Sequence, residues 1–250
     1  MFTRLLIGLD GSPSADAALE QAIVLGDRFK ATLVLGHVAE RSKDVEAGAA
    51  LLGRAAERVR GAGGGLHADV VLREGDPDTE LAALAKEADA VLVGRRGIHT
   101  QGAELGPTAA SLIKIAERCV IVCGARPSPM NACAVAFDGG ETARRALDFA
   151  ARFASILHST IHIIYATSDH AEGVQVVGAA EAVLSLQGVA FVTHIEPGTP
   201  GEVVARVVAR TQCDALFAGA HVTRGRTSKV SVSHAEEILR RTDIPVVIQP

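Results

Sequence analysis

Tryptophan is absent from this chain and tyrosine occurs once, so aromatic residues make up only 3% of it. A core of this size must therefore be assembled from Ala, Val, Leu and Ile, a composition that suits buried parallel strands in an α/β protein. Positive charge is also in short supply. The formal net charge of -4 removes the electrostatic case for a nucleic-acid partner or an anionic membrane surface. No apolar run reaches the length of a membrane span. The start, MFTRLLIGLDGS, lacks a signal-peptide apolar region and cleavage site, so a cytoplasmic location is the expectation.

Cysteine is scarce and unpaired in pattern. Of the four, Cys119 and Cys123 share one face of an apolar run, while Cys133 and Cys213 lie alone. With no CxxC, they read as buried, reduced thiols. The nine His are scattered, with no HExxH and no His/Cys grouping, which leaves no candidate metal site. Catalytic signatures are missing too: there is no GxSxG elbow, no Walker A lysine, no GxGxxG after the first strand, and no SGGxDS-like loop.

What the chain does have is an internal repeat. The stretch Leu5–Val38 overlays Cys133–Ala166 without a gap: Asp10 meets Asp138, Gly11 meets Gly139, Ala18-Leu19 meets Ala146-Leu147, and Thr32 meets Thr160. Further on, Gly75–Pro77 matches Gly198–Pro200, Ala88–Gly94 matches Cys213–Gly219, and RCVIVC matches IPVVIQ. The halves meet at GARPSPMNA, Gly124–Ala132, whose prolines and small residues mark a linker. Two domains, 1–125 and 131–250, are expected.

Each half alternates short apolar runs with amphipathic stretches. In the first half the runs lie at Arg4–Leu9, Thr32–Val38, Ala68–Leu72, Ala90–Val93 and Cys119–Cys123. Helical spacing covers Ser14–Phe29, with Ala18, Leu19, Ala22, Ile23 and Phe29 on one face, and Val45–Val59. Pro77 opens a third helix, as proline tolerates the first turn. Such βα steps predict two tandem doubly wound, Rossmann-like domains, each a five-stranded parallel sheet flanked by helices. Ligands of these sheets sit beyond the carboxyl ends of the strands, where the winding reverses.

Three features of the first half fall at those ends. Asp10 with Gly11 and Ser12 follows strand 1, His37-Val38 closes strand 2, and Gly94, Arg95, Gly97 and Gly106 form a loop after strand 4 that leads into a helix. Glycines let backbone N–H groups approach an anion, and the helix end adds its own free N–H groups. Asp10 alone also fits a turn or cap; its placement on one sheet edge with the loop gives it weight.

On these residues the chain resembles a tandem universal stress protein. The adenine-nucleotide-binding members carry an Asp after strand 1, a His-Val at the end of strand 2, and a loop of the form G-x2-G-x9-G-[S/T]. The resemblance implies an adenine nucleotide alpha hydrolase-like fold and ATP or another adenine nucleotide as ligand, with Mg. It implies adenine and ribose contacts from Asp10 and the Val38 backbone, and phosphate contacts from Gly94, Gly97, Gly106 and the following helix. The match departs in two places: eight residues instead of nine separate Gly97 from Gly106, and Pro107 stands where Ser or Thr is expected. Thr108 is then the candidate hydroxyl.

The second half keeps Asp138 and Gly219, but His-Val has become Tyr165-Ala166, and Val222 and Val232 replace glycines. A branched Cβ crowds an approaching phosphate. Ser233 holds the hydroxyl position, yet Ser233–Glu236 also fits a capping box. Asp138, Gly219 and Ser233 thus form a weaker second candidate site, and binding is expected mainly in the first half. The expected role is a non-catalytic stress-response regulator; slow ATP hydrolysis or autophosphorylation, for which Ser12, Thr108 or Ser111 would be the positions, occurs in some relatives but is not indicated by these residues. The competing readings are a structural or partner-binding protein with no working site, and an enzyme of the wider hydrolase-like group. The last strands, CVIVC and PVVIQ, are apolar and suited to pairing the two halves with each other, and the whole chain to a homodimer.

Overall fold

The structure, a computed structural model, describes residues 1–98, 100, 105–220 and 233–250, with side chains of the last stretch from 237 onward. The chain divides into two units, Met1–Pro127 and Ser128–Pro250.

In the first unit the order is β1 (Arg4–Gly8), α1 (Pro13–Phe29), β2 (Thr32–Ala39), α2 (Val45–Gly61), β3 (Ala68–Glu74), α3 (Pro77–Ala85), β4 (Ala90–Gly94), α4 (Pro107–Ile115) and β5 (Cys119–Cys123). All strand pairs are parallel, in the order β3-β2-β1-β4-β5. The second unit repeats this plan with β6 (Ala132–Ala136), α5 (Glu141–Leu157), β7 (Thr160–Ala166), α6 (His170–Leu186), β8 (Phe191–Glu196), α7 (Pro200–Thr211), β9 (Ala215–Gly219), α8 (Ser233–Arg241) and β10 (Val246–Gln249), ordered β8-β7-β6-β9-β10. The expected α/β architecture is the one found. Among the described residues no helix is long and apolar enough to cross a membrane.

The central strands are apolar because helices cover both faces. Leu5, Leu6, Ile7, Val91 and Leu92 are fully buried in the first unit, and Cys133, Ala134, Val135, Leu216 and Phe217 in the second. The four cysteines are buried and in no disulfide; burial drives the Cys133 thiol up to about 12. Helix boundaries repeat as well. Both α1 and α5 end on a left-handed residue, Lys30 (φ 53°) and His158 (φ 55°). The next N–H in each turns back on the helix, Ala31 to Gly26 O at 3.0 Å and Ser159 to Ala154 O at 3.1 Å, satisfying carbonyls that the helix end leaves open.

An aspartate at the amino edge of each sheet ties strand 4 to strand 1. Asp89 Oδ2 accepts from Thr3 N (2.6 Å), Thr3 Oγ1 (2.8 Å) and Arg4 N (2.9 Å). Its equivalent Asp214 accepts from Asn131 N (3.1 Å) and Ala132 N (2.8 Å). Burial pushes the Asp89 carboxyl up, but the bonds from Thr3 and Arg4 outweigh it and leave the group below its ordinary value. That stabilisation is present above the unfolded carboxyl value and is lost as pH falls through the folded one. Asp89→Ala is expected to cost about 1–2 kcal/mol, measured by urea unfolding at neutral pH; an unchanged midpoint would show that the clamp is incidental.

Candidate functional site

The first unit's winding reverses between β1 and β4, which pair from Leu5↔Ala90 to Ile7↔Leu92. Past β1 the chain makes a tight turn. Asp10 Oδ1 accepts from Ser12 N at 2.9 Å, while Gly11 adopts φ +83°, a conformation costly for any residue with a Cβ. Ser12 then caps α1, accepting from Ala15 N at 3.1 Å. Asp10 is therefore a turn residue, as its bland reading held, but its second oxygen does something else: Oδ2 accepts from Ile98 N in the loop after β4, at 3.1 Å.

That loop is stitched to the β1 turn along its length. Ser12 Oγ donates to Arg96 O at 3.2 Å, and Arg96 N donates to Ser14 Oγ at 3.2 Å. Gly106 N closes the loop on Arg95 O at 2.7 Å. The glycines have distinct tasks here. A Cβ on Gly94 would lie 2.6 Å from the Ser14 carbonyl oxygen; one on Gly97, 2.9 Å from Asp10 Oδ2; one on Gly106, 3.1 Å from Gly97 N. Gly94 thus lets helix α1 approach the sheet, and Gly97 and Gly106 let the loop fold over Asp10 and the start of α4.

Helix α4 begins at Pro107 behind Gly106, with no side-chain cap and no acid in its first turn. Proline removes one N–H; those of Thr108 and Ala109 have no partner inside the helix and give it a positive end.

These elements enclose a cavity of about 550 Å³, within the range of small-molecule sites. Of the residues singled out by sequence, Asp10, Gly11, Val38, Gly94, Gly97, Gly106 and Thr108 line it. Ser12 and Arg95 do not. Ser12 is buried in its capping and loop bonds, and the Arg95 guanidinium lies near Cys123, where its charge partly offsets the large upward push of burial on that thiol.

One wall went unread in the sequence. Asp44, just before α2, and Ala47, Gly48, Leu51 and Arg54 on it line the cavity, the last four forming a second stripe beside the buried stripe of Gly48, Leu52, Ala55 and Val59. The helical spacing was visible in Val45–Val59, but a helix facing both core and crevice shows a single broad apolar band. Arg41, also in the lining, pairs with Asp44 at 2.8 Å. His37 Nδ1 lies 2.6 Å from Leu9 O; a carbonyl only accepts, so this nitrogen carries the hydrogen. The ring packs on Gly48, where a Cβ would come within 2.9 Å of Nε2. His37 thereby holds both the residue before Asp10 and the α2 wall.

The equivalent place in the second unit is arranged differently. Asp138 Oδ1 accepts from Gly140 N at 2.8 Å, and Gly139 has φ +78°, so the turn survives. Tyr165 replaces His37, and its hydroxyl donates to Glu172 Oε1 at 3.2 Å. Thr167 Oγ1 donates to Glu172 Oε2 at 3.0 Å. Burial, then the charges of Glu172 and Asp138, push the Tyr165 hydroxyl up, which places two carboxylates near it. Val176 packs over Gly139, 3.1 Å from where its Cβ would stand. Glu172 is a signal that the sequence held and the motif comparison passed over. A Cβ on Gly219 would lie 2.5 Å from the Thr142 carbonyl oxygen, so this glycine is kept for packing. The substitutions at Val222 and Val232, the basic residues Arg224, Arg226 and Lys229, and the side chains of Ser233–Glu236 lie outside the described residues.

The sequence model of the universal stress protein family matches residues 1–124 and 130–250, nearly the whole chain in two copies. The chain belongs to the universal stress protein family. Its tandem form, expected from the repeat, is the form found. It is 25% identical over 171 residues to universal stress protein Slr1230 of Synechocystis, which covers 67% of this chain and 60% of that one; the chain thus spans about three fifths of that curated relative. Among solved structures, a universal stress protein from Archaeoglobus fulgidus superposes with a TM-score of 0.85 over 98% of this chain and 97% of its own, at 19% identity. The functionally unknown protein PA1789 of Pseudomonas aeruginosa does so at 0.74, over 99% and 92%, at 17% identity. At such identities the likeness is one of fold. Both halves carry an Asp-Gly turn after their first strand, and Gly94, Gly97 and Gly106 line the cavity of the first.

Proposed function

We propose that the first unit binds an adenine nucleotide, ATP with Mg or a shorter phosphate ester, and that the protein acts in the cytoplasm as a non-catalytic stress-response regulator. The observation that carries this reading is one cavity bounded by an apolar wall, an aspartate and an uncapped helix start. The base packs against Leu51 and Ile98 and meets the Val38 backbone; the ribose hydroxyls donate to Asp10, whose oxygens retain lone pairs beyond the two backbone bonds they accept. Phosphate oxygens accept from the Thr108 and Ala109 N–H groups and the Thr108 hydroxyl, with Arg96 and Arg54 supplying charge. The missing Cβ at Gly97 and Gly106, which lets the loop close over Asp10 and the start of α4, supports this fit. Nothing in this binding mode requires a general base or a nucleophile, hence a sensor or regulator rather than a turnover enzyme. The second unit, with Tyr165 and Glu172 beside Asp138, serves as support and pairs with the first through the last strands of the two halves; homodimerisation belongs to the same reading.

Denaturing the purified protein should release ATP, ADP or AMP. Titrating nucleotide-free protein with Mg-ATP by calorimetry should give one site per chain. The absence of both released nucleotide and heat of binding would sink the reading, and two equal sites would sink the asymmetry. Sustained phosphate release over many turnovers would instead support an enzyme.

A second reading, a partner-binding protein whose site has decayed, is favoured by one specific contact. Gly97 N, which a phosphate would claim, already donates to Thr100 Oγ1 at 3.3 Å, and Pro107 removes another donor.

A further inference from the structure

Away from the crevice, the second unit carries a chain of hydrogen bonds whose direction is forced. His162 on β7 and His194 on β8 stack with ring centroids 5.3 Å apart and planes 16° from parallel, and His162 Nδ1 lies 3.0 Å from His194 Nε2. Arg210, near the end of α7, places Nη2 3.3 Å from His194 Nδ1 and 2.6 Å from Glu196 Oε1. Arg206 holds the other Glu196 oxygen, Nε to Oε2, at 2.9 Å.

A guanidinium donates and never accepts. His194 Nδ1 must therefore accept and carries no hydrogen. The ring's one hydrogen then sits on Nε2 and is donated to His162 Nδ1, which must also be bare. Both imidazoles are neutral in this arrangement, each locked as the Nε2–H tautomer. A proton added to His162 would land on Nδ1 and set two N–H donors against each other at 3.0 Å. A proton added to His194 would land on Nδ1, against the Arg210 donor. No acid form of the network fits this geometry.

The surroundings strengthen the conflict. On α7, Arg206 and Arg210 are both cationic. On β8, Arg210 and Arg206 hold the Glu196 carboxyl below its usual range, so it stays anionic and keeps Arg210 in place. On the β6 side the register partner of His162 is Ala134, which carries no charge. Helix α6 presents His170 and Glu181, which line the same hollow as Thr193 and His194; Glu181 is engaged there by Thr193, whose Oγ1 donates to its Oε1 at 2.7 Å. Burial lowers the affinity of His162 for protons, and burial with the neighbouring His162 and Arg210 lowers that of His194.

The fold does not require this pair. By strand register the first unit has Val34 and Val71, both apolar, at the matching positions. We propose that the His162–His194–Arg210 chain is a proton-operated latch in the second unit: closed at neutral pH, and opened by acid to release β8 and the end of α7. Among the described residues β8 pairs with β7 alone inside its unit, so no described strand holds its other edge. The sign follows from linkage. Because the unfolded or opened state takes protons at the ordinary value near 6.5 and the closed state resists them, the latch's contribution is complete above that pH and is lost as pH falls.

The test is amide hydrogen exchange on the full chain, comparing β8 with β6 between about pH 7.5 and pH 5.5 after correction for intrinsic rates; below the ordinary histidine value near 6.5 opening of β8 should rise by about tenfold per pH unit for each proton taken up, while β6 stays unchanged. The double variant His162→Val/His194→Val, which installs the first unit's residues, should abolish this response. An equal acid response in the double variant would overturn the latch. Ring nitrogen NMR of the unchanged chain decides independently of whether that variant folds: both rings should show the Nε2–H tautomer at neutral pH, and an Nδ1–H tautomer in either would overturn it.

Discussion

Gly97→Val is expected to weaken nucleotide binding to the first unit by about 100-fold or more, about 2.7 kcal/mol, without unfolding it. The added Cβ would stand 2.9 Å from Asp10 Oδ2, the oxygen that accepts from Ile98 N. Relief comes either by turning the carboxylate away from its ligand position or by lifting the loop off the start of α4. Both dismantle the crevice and leave the sheet intact, because Gly97 lies in the loop and not under a helix. Calorimetric titration with Mg-ATP and with AMP reads the effect, and circular dichroism checks the fold. Unchanged affinity in a folded variant would show that the loop is not the phosphate site. The substitution copies into the first half the change that Val222 represents in the second.

The pair Gly94→Ala and Gly219→Ala is expected to act on stability in both halves alike, by about 3 kcal/mol each. Each glycine ends the fourth strand of its unit, and each has a helix backbone directly above it: the Ser14 carbonyl oxygen 2.6 Å from a Cβ at the first, the Thr142 carbonyl oxygen 2.5 Å from a Cβ at the second. A backbone cannot swing aside as a side chain does, so the helix must shift from the strand. Denaturant unfolding monitored by far-UV circular dichroism measures the loss. If Gly219→Ala were neutral while Gly94→Ala abolished nucleotide binding, Gly94 would be a ligand glycine and the packing account would fall. The two experiments together divide the glycines of one motif between ligand approach and packing.

Much of the fold was legible because its signals are local or periodic. The repeat between Leu5–Val38 and Cys133–Ala166 established two similar halves, and buried parallel strands flanked by helices leave unbroken apolar runs between amphipathic ones. β5 falls where the run Cys119–Cys123 placed it, and β4 and β1 differ from their runs by one residue at an end. Several motif residues also stand together, since a doubly wound sheet must bring the ends of strands 1 and 4 to one crevice.

What the linear pattern could not assign is the task of each residue within that crevice. Ser12 and Arg95 sit beside cavity-lining neighbours in sequence, yet one is spent capping α1 and the other lies near Cys123, because successive residues of a turn point in different directions. Gly94 and Gly97 look equivalent in a G-x2-G motif, and only the helix above one and the carboxylate beside the other separate them. The α2 wall was hidden because a helix between core and crevice needs apolar residues on both stripes. The His162–His194–Arg210 chain joins different elements, where no spacing rule applies. The sequence by itself determined the class of fold, its duplication and the half that retained the loop glycines, for these depend on local periodicity and residue type. The tertiary structure alone decided which glycine serves packing, which side chains meet the cavity and which histidines share a hydrogen, for those depend on approach in space between atoms the chain keeps far apart.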